Sequence, residues 1–299
     1  MDVWLNGRFV DRDVAKVSAF DAGLQHGVGL FETMHARHGR VFRARQHVQR
    51  LAGSARELRL TERLHVEPLI DALHLTLGKN EMNEARVRLT VTGGDLNILQ
   101  SSGAAPADPT ILIVAQPPTE YPPEFFERGV MVVIADGRAN PLDPHAGHKT
   151  LNYWARIAAL QVAAQKQAGE ALWFTVSNHL AGGSMSNVFL VKDGSLLTPF
   201  ARGEEESGAI PSPVLPGITR AAIIELAQAE GIAVHRRKID INDVLAADEV
   251  FLTNSSWGVL PVVRLEREQI GDGVVGPITN QLRALHQSLI DSETAAAPD

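Results

Sequence analysis

The sequence predicts an α+β protein with two lobes, a small α/β lobe at the N-terminus and a larger mixed α/β lobe after it. The chain has 299 residues, whereas a single domain takes roughly 100–200. Strand and helix patterns are mixed along the chain without a repeat of fixed period. Two proline pairs between Gln116 and Pro123 stiffen that segment and exclude helix and sheet interior. We therefore predict lobes at 1–116 and 124–290, a linker at 117–123 and a disordered tail at 291–299.

The N-terminal lobe opens with a predicted hairpin. Val3, Leu5 and Phe9 are apolar on either side of Asn6-Gly7, a dipeptide typical of two-residue hairpin turns. Farther along, periodic apolar residues predict helices and short apolar runs predict strands. In chain order these are strands at 29–36 and 41–42, helices at 45–58 and 67–77, and strands at 86–92 and 110–115. The segment 93–109 is rich in Gly, Ala, Asp and Pro, and it predicts a mobile loop.

The C-terminal lobe reads as strands separated by three longer helices. The helix at 218–230 has a strong pattern and ends at Gly231, a residue common after helix C-termini. The segment 203–213 is acidic near its start and predicts a solvated loop. The remaining predictions are helices at 152–168 and 278–290 and strands at 130–135, 171–176, 188–192, 233–237, 249–253 and 259–263.

Composition removes several classes of function. The formal net charge is −7, whereas nonspecific nucleic-acid binding calls for a strong positive excess. The chain has no cysteine, so disulfides, thiolate metal sites and cysteine nucleophiles are excluded, and a reducing cytoplasm fits best. Its start lacks a basic region followed by an apolar run, and no stretch reaches the roughly 18 apolar residues of a membrane span. We expect a cytoplasmic protein without a membrane or nucleic-acid partner.

Common catalytic motifs are missing from the sequence. It has no GxxxxGK[ST], HExxH, GxSxG or GxGxxG pattern. Two histidine pairs have a spacing of three, which suits a metal, but each lies in a turn or beside glycine without an obvious carboxylate partner; they are His35 with His38 and His145 with His148. We therefore expect no metal site.

One lysine stands out among only six. Five have ready surface explanations, because they lie beside predicted turns, near a helix end or after two arginines. Lys149 instead follows a loop and precedes a predicted helix, where its amine could point into a cleft. On spacing alone, an ordinary loop lysine is the simpler interpretation.

Three candidate anion sites favour a functional role for Lys149 over an ordinary loop lysine. Gly217-Ile218-Thr219 opens a helix with free backbone N–H groups and a hydroxyl, Ser255-Ser256 follows a strand, and Arg50 lies on a first-lobe helix. Each also has a plain structural interpretation, namely a helix cap, a polar turn and a surface arginine. Together with a lysine, however, they supply what pyridoxal phosphate requires, which is an amine for the Schiff base and an anchor for the phosphate.

Six runs of the sequence occur in the order in which a known family has them, across about residues 2–290. They are FDAGLQHGVGLFET at 20–33, HVQRLAGSA at 47–55, HKTLNY at 148–153, GSMSNVF at 183–189, LPGITR at 215–220 and ADEVFLTNS at 247–255. In these runs the chain resembles the class IV aminotransferases, the fold-type IV pyridoxal-phosphate enzymes. This superfamily includes branched-chain and D-amino-acid aminotransferases and aminodeoxychorismate lyase.

The resemblance implies roles for particular residues. Lys149 would be the Schiff-base lysine and proton shuttle, and Arg50 would hold the phosphate. Family members are usually homodimers in which loops of the neighbouring subunit close the site. The remaining implied cofactor contacts are Gly217, Ile218, Thr219, Ser255 and Ser256, and the implied substrate contacts are Phe31, Arg88 and Tyr153.

Three positions depart from the family's pattern. Gly182 stands where the family normally has a glutamate that keeps the pyridine nitrogen protonated, and no neighbouring acid supplies it after a one-residue slip. Loss of that partner would leave the ring nitrogen free to be neutral and slow the chemistry. Gly182→Glu should then speed substrate deprotonation if the position has room. Gly93-Gly94 replaces a common Arg-Gly, and Val28 replaces an aspartate.

Three functions therefore remain open. The first is an amino-acid aminotransferase of the branched-chain or D-amino-acid type, in which Lys149 moves a proton between the substrate Cα and the cofactor. The second is aminodeoxychorismate lyase, which releases pyruvate; the run NSSWGVLPV at 254–262 resembles that branch somewhat more. The third is a catalytically weakened cofactor-binding protein, suggested by Gly182.

Overall fold

The first hairpin forms as the sequence predicts. In the computed structural model, strand β1 (Asp2–Leu5) pairs antiparallel with β2 (Arg8–Asp11) around the Asn6-Gly7 turn. Asn6 has a φ of 48° and Gly7 a φ of 90°. Two consecutive left-handed residues are what a type I′ turn requires, and its twist matches that of the two strands.

The structure describes residues 1–95 and 108–295, and these divide into two units. Unit 1 contains Met1–Thr119, His148–Asn152 and the chain from Ile290 onward. Unit 2 contains Glu120–Gly147 and Tyr153–Leu289. The first division, after Thr119, lies inside the linker that the proline pairs predict. Lys149 lies in unit 1, although its position in the chain suggests the C-terminal lobe.

Unit 1 is an antiparallel sheet covered by two helices. The six strands have the order β2-β1-β6-β5-β3-β4. Alternate residues of β3, among them Leu30 and Met34, pack against Val48 and Leu51 of α2 and Leu73 of α3. Because strand side chains alternate between faces, Phe31 lies on the opposite face of the sheet. The further elements are α1 (Ala22–His26), β3 (Gly29–Arg37), β4 (Arg40–Val41), α2 (Ala44–Glu57), α3 (Val66–Lys79), β5 (Ala85–Thr92) and β6 (Ile111–Gln116).

Unit 2 is built on a mixed nine-stranded sheet. Its order is β12-β11-β10-β13-β14-β7-β8-β9, with β15 paired to β14. Strands covered on both faces read as continuous apolar runs, as in β8 and β13. The elements are α4 (Glu124–Glu127), β7 (Val130–Ala139), α5 (Trp154–Gln165), β8 (Glu170–Thr175), β9 (Leu180–Gly183), β10 (Asn187–Lys192), β11 (Ser195–Thr198), α6 (Ile218–Ala229), β12 (Val234–Arg236), α7 (Ile241–Leu245), β13 (Glu249–Asn254), β14 (Gly258–Leu265), β15 (Glu268–Gln269) and α8 (Pro277–Thr294).

The α+β prediction is confirmed, and the differences are local. The disordered tail is wrong for 291–294, because α8 continues to Thr294 and Asp291 accepts a hydrogen bond from Arg37 Nη1 at 2.6 Å. Residues 296–299 lie outside the described residues, as do 96–107 of the predicted loop. The helix predicted from 152 begins at Trp154. Among the described helices, none is long and apolar enough to cross a membrane.

Candidate functional site

The lysine singled out by the sequence is held beside strand β3. Phe31 N donates to Lys149 O at 2.9 Å and Leu151 N donates to Gly29 O at 3.0 Å, so the lysine segment forms a short antiparallel bridge. Lys149 Nζ lies 4.3 Å from the centre of the Phe31 ring, within range of a cation–π contact. The main chain and the amine of Lys149 are therefore both set by β3.

The residue before the lysine is fixed by helix α2. His148 Nδ1 lies 2.9 Å from Ser54 Oγ, and His148 Nε2 lies 3.6 Å from a carboxylate oxygen of Glu57. Ser54 and Glu57 are three residues apart and so share one face of α2. Arg50 lies four residues before Ser54 on the same face. This helix face therefore holds both the lysine segment and the predicted phosphate-binding arginine.

Arg50 itself is joined to a buried carboxylate. Its Nε donates to Glu32 Oε1 at 2.8 Å and its Nη2 donates to Glu32 Oε2 at 2.6 Å. The side chain of Glu32 is 1% exposed and that of Arg50 is 12% exposed. The interpretation of Arg50 as a surface arginine is therefore wrong. Helical spacing placed it on α2, but it cannot show that a β3 carboxylate lies opposite.

His47 completes this buried cluster. Its Nδ1 lies 2.8 Å from Glu32 Oε2. Burial lowers the pKa of His47, which favours a neutral ring that donates from Nδ1. Burial alone would raise the pKa of Glu32, but the Arg50 charge and the His47 hydrogen bond outweigh it and lower that pKa from 4.5 to about 2. Glu32 is thus an anion at neutral pH.

The predicted substrate residues Phe31 and Arg88 lie together in unit 1. The guanidinium carbon of Arg88 lies 3.7 Å from the centre of the Phe31 ring, and Arg88 Nε donates to Thr90 Oγ1 at 3.4 Å. Phe31 and Thr90 are cross-strand partners on β3 and β5. One aromatic ring therefore contacts both the lysine amine and an arginine.

In unit 2, the predicted anion site at 217–219 is the start of helix α6. Gly217 is its N-cap residue, and a glycine there has no side chain that could cap the first turn. The N–H groups of Ile218 and Thr219 are among those that have no partner within a helix. A Cβ on Gly217 would collide with Asn187 Oδ1. The local packing thus requires glycine at this helix start.

The predicted serine pair forms the turn after β13. Asn254 Oδ1 accepts from Ser256 N at 2.8 Å and from Trp257 N at 3.0 Å, which fixes the turn. The side chains of Ser255 and Ser256 are half-buried.

Asn187 connects this turn's strand with the start of α6. It is the β-sheet partner of Thr253, and its Nδ2 donates to Leu215 O at 2.9 Å. Sequence reasoning quoted Asn187 within a motif without giving it a role. No local pattern could have indicated this role, because Leu215 lies 28 residues farther along the chain.

Tyr153, the third predicted substrate residue, is the N-cap residue of α5 in unit 2. Its half-buried ring lies 6.0 Å from the guanidinium carbon of Arg156. The structure thus assigns Phe31 and Arg88 to one unit and Tyr153 to the other.

Gly182 occupies a position built for glycine. Its φ is 113°, and an added Cβ would lie 2.9 Å from Ser186 O. Trp173 is its cross-strand partner and donates from Nε1 to Ser184 Oγ at 2.9 Å. A glutamate at 182 would have to adopt a φ that side chains other than glycine rarely take, and its Cβ would lie too close to Ser186 O. The condition under which Gly182→Glu would speed deprotonation, namely room for the side chain, is therefore not met.

A buried carboxylate beside strand β9, that of Glu170, already accepts hydrogen bonds from the protein. It accepts from Ala171 N at 2.9 Å, from Met185 N at 3.1 Å and from Ser186 Oγ at 3.0 Å. Burial raises its pKa against the effect of these hydrogen bonds. Glu170 thus anchors the turn after β9. Sequence reasoning missed it, although an acid at the start of an apolar strand was a signal.

Comparisons with known proteins identify the family of the chain. The family model of class IV amino-transferases matches residues 29–265. A putative branched-chain-amino-acid aminotransferase of Methanocaldococcus jannaschii is 34% identical over 95% of this chain and 94% of its own length. The Escherichia coli branched-chain amino acid aminotransferase structure is 29% identical with a TM-score of 0.88, covering 98% of this chain and 96% of that one.

A second solved structure represents another activity. It is 4-amino-4-deoxychorismate lyase from Pseudomonas aeruginosa, 28% identical with a TM-score of 0.81, covering 96% of this chain and 98% of that one. The fold is therefore that of the fold-type IV enzymes. The chain belongs to the class IV aminotransferase family and is a pyridoxal-phosphate-dependent enzyme.

Proposed function

We propose that this enzyme transfers an amino group between an amino acid of the branched-chain or D-amino-acid type and a 2-oxo acid. The observation that carries the proposal is the position of Lys149, whose amine lies against Phe31 while its main chain is hydrogen-bonded to β3. An amine held in this way can react with a carbonyl carbon and can carry a proton.

The chemistry of the donor groups fits the cofactor. The Lys149 amine suits an aldehyde. A phosphate dianion suits the other groups, which are the Arg50 guanidinium, the helix start at Gly217 and the two serine hydroxyls. When bound, pyridoxal phosphate supplies the aldehyde and a conjugated ring that withdraws electrons from the substrate Cα. The exception is Gly182, which brings no carboxylate to the position where the resemblance expects one for the ring nitrogen.

We assign the following roles to the chain's own groups. Lys149 Nζ takes the proton from the substrate Cα and returns it during transfer. Phe31 restricts where that amine can lie. The phosphate-binding groups are Arg50, the first turn of α6 at Gly217, Ile218 and Thr219, and the turn at Ser255 and Ser256.

Arg88 is proposed to select the 2-oxo acid. Its guanidinium is stacked on Phe31, so its orientation is restricted and its edge can bind a carboxylate in a bidentate manner. Every 2-oxo acid has a 1-carboxylate, and we propose that Arg88 binds the additional carboxylate of a dicarboxylic acceptor. Tyr153 is proposed as a further substrate contact.

Arg88→Gln should lower kcat/KM for 2-oxoglutarate about tenfold or more, because a charge-assisted contact is lost. With 4-methyl-2-oxopentanoate as acceptor the loss should be much smaller. Arg86→Gln is the matched control, because Arg86 lies two residues away on β5 and bonds Gln116 instead. Equal losses with both acceptors would refute the role of Arg88.

Assays of the purified enzyme distinguish amine transfer from the other two candidate functions. It is incubated with L- and D-amino acids and 2-oxo acids, and separately with 4-amino-4-deoxychorismate. Amine transfer supports the proposal. Pyruvate released from 4-amino-4-deoxychorismate without amine transfer would identify a lyase, and neither product would identify a weakened cofactor-binding protein.

We also propose that the protein is a homodimer. Helix α5 supports this, because among its residues only Ala163 is buried, whereas Trp154 is 89% exposed and Ile157 is 43% exposed. Apolar side chains one turn apart on a helix favour a protein partner. Sedimentation equilibrium should give about twice the chain mass of 32.4 kDa; the mass of a single chain at micromolar concentration would contradict the proposal.

A further inference from the structure

The buried carboxylate of Glu32 has no role in the chemistry proposed above, yet it is bonded to a residue that does. It engages Arg50 through Nε and Nη2, with distances of 2.8 and 2.6 Å. The outer edge of the guanidinium, formed by Nη1 and the second hydrogen of Nη2, is not part of these two bonds. A two-bond contact of this kind fixes the plane of the guanidinium as well as its position.

An ion pair at this position needs an explanation beyond stability. Removing a carboxylate from water costs several kcal/mol in proteins, and apolar residues of similar volume often serve a core as well or better. The neighbours of Glu32 along this face of β3, Leu30 and Met34, are apolar core residues. A leucine at position 32 would match that pattern, whereas the glutamate orients Arg50.

His47 restricts Glu32 in turn. The histidine Nδ1 lies 2.8 Å from the same Oε2 that accepts from Arg50 Nη2, and the His47 side chain is 1% exposed. The carboxylate therefore has neutral and charged donors on either side and cannot rotate without losing one. The orientation of the guanidinium follows from this arrangement.

The strand that carries Glu32 also holds the lysine. Phe31, the residue before Glu32, donates its N–H to Lys149 O at 2.9 Å. Two consecutive residues of β3 thus determine the position of the amine segment and of the guanidinium. A change of charge at position 32 would disturb the arginine and leave the hydrogen bond to the lysine main chain in place.

We propose that Glu32 is a positioning residue for phosphate binding, which orients Arg50 so that its outer guanidinium edge binds the cofactor phosphate. This inference rests on the proposed role of Arg50. Glu32 contacts neither cofactor nor substrate in this assignment, and it acts only through the arginine.

Glu32→Gln tests the proposal, because it keeps the side-chain volume, removes the charge and places an amide donor against an arginine donor. The apo form of each variant is titrated with pyridoxal 5′-phosphate and with pyridoxal, which lacks the phosphate. We expect the Kd for pyridoxal 5′-phosphate to rise about tenfold. The Kd for pyridoxal should stay within about twofold.

Three further variants make the test decisive. Glu84→Gln removes an exposed carboxylate that accepts from Arg37 in the same unit, and should change neither affinity. Arg50→Lys keeps the cation without the fork and should weaken pyridoxal 5′-phosphate by itself. Adding Glu32→Gln to Arg50→Lys should then have little further effect, because the fork that Glu32 orients is gone. If Glu32→Gln does not fold, Glu32→Asp keeps the charge with shorter reach and should show the same selective loss to a smaller extent.

Each result has a distinct meaning. Equal losses for pyridoxal 5′-phosphate and pyridoxal in Glu32→Gln would show a merely structural role and overturn the inference, as would unchanged affinity for both. Unchanged affinity in Arg50→Lys would instead refute the phosphate role of Arg50, and with it the proposed site.

Discussion

Replacing Lys149 with alanine should lower the rate of amine transfer by about a thousandfold or more. Acid–base catalysis by a positioned group contributes about 100- to 10,000-fold, and the variant also loses the amine that reacts with the aldehyde. The fold should persist, because the hydrogen bond from Phe31 N ends on the main-chain oxygen of Lys149. Single-turnover rates with an amino-acid panel measure the loss.

Lys166→Ala is the control for this prediction. Lys166 is exposed and lies at the C-terminal end of α5, so its removal should leave the rate within about twofold. Borohydride reduction of the holoenzyme followed by peptide mapping should place the label on Lys149. A label on another lysine, or a Lys149→Ala variant with near-parental rate, would remove Lys149 from the mechanism.

Local pattern was enough to predict much of the fold. The Asn6-Gly7 hairpin depends on two residues that tolerate left-handed conformations, and the apolar spacing of α2 and α6 depends on one buried face each. Both signals lie within a few residues of the element that they predict. The short elements α4 and β15 carry no such periodicity and were missed.

Contacts between distant parts of the chain could not be predicted in this way. Lys149 joins unit 1 because its segment pairs with β3, more than a hundred residues earlier in the chain. The end of α8 likewise docks through Asp291 onto Arg37. The polar sequence after 290 therefore predicted disorder, because nothing in it indicates that Arg37 binds Asp291.

The candidate site shows the same limit. Lys149 and Arg50 stand out in the sequence because their residue types are the ones that the chemistry needs. Glu32 does not, since its role depends on which face of β3 it occupies and on what α2 brings to that face. The backbone of Gly182 is a further case. Its φ is 113° in the strand that pairs with β8, and a glycine in a sequence does not by itself reveal that conformation.

Arg50→Ala should destabilise the protein strongly, contrary to what a surface arginine would do. The variant leaves Glu32, whose side chain is 1% exposed, buried beside His47 without the cation that neutralises it. Breaking a buried ion pair by removing one partner costs about 3–5 kcal/mol, out of a total stability of about 5–15 kcal/mol. Denaturant unfolding of the apo protein at pH 7 measures the change. Arg45→Ala on the same helix is the control, because its partner Glu67 is exposed, and it should unfold close to the parent.

The pH dependence of this loss identifies its cause. In the parent, the pKa of Glu32 is lowered from 4.5 to about 2, so the stability that it contributes is complete above about pH 4.5 and is lost as pH falls toward 2. Without Arg50, burial should raise the pKa of Glu32, so its carboxylate takes up a proton at higher pH. Acidification therefore removes the cost of the buried charge in the variant. The difference in unfolding free energy between parent and Arg50→Ala should therefore be largest at pH 7 and shrink toward pH 3.

Adding Glu32→Gln to Arg50→Ala should recover much of the loss at pH 7. A difference that is constant between pH 7 and pH 3, or no recovery in the double variant, would show that lost packing and not the stranded carboxylate destabilises the protein.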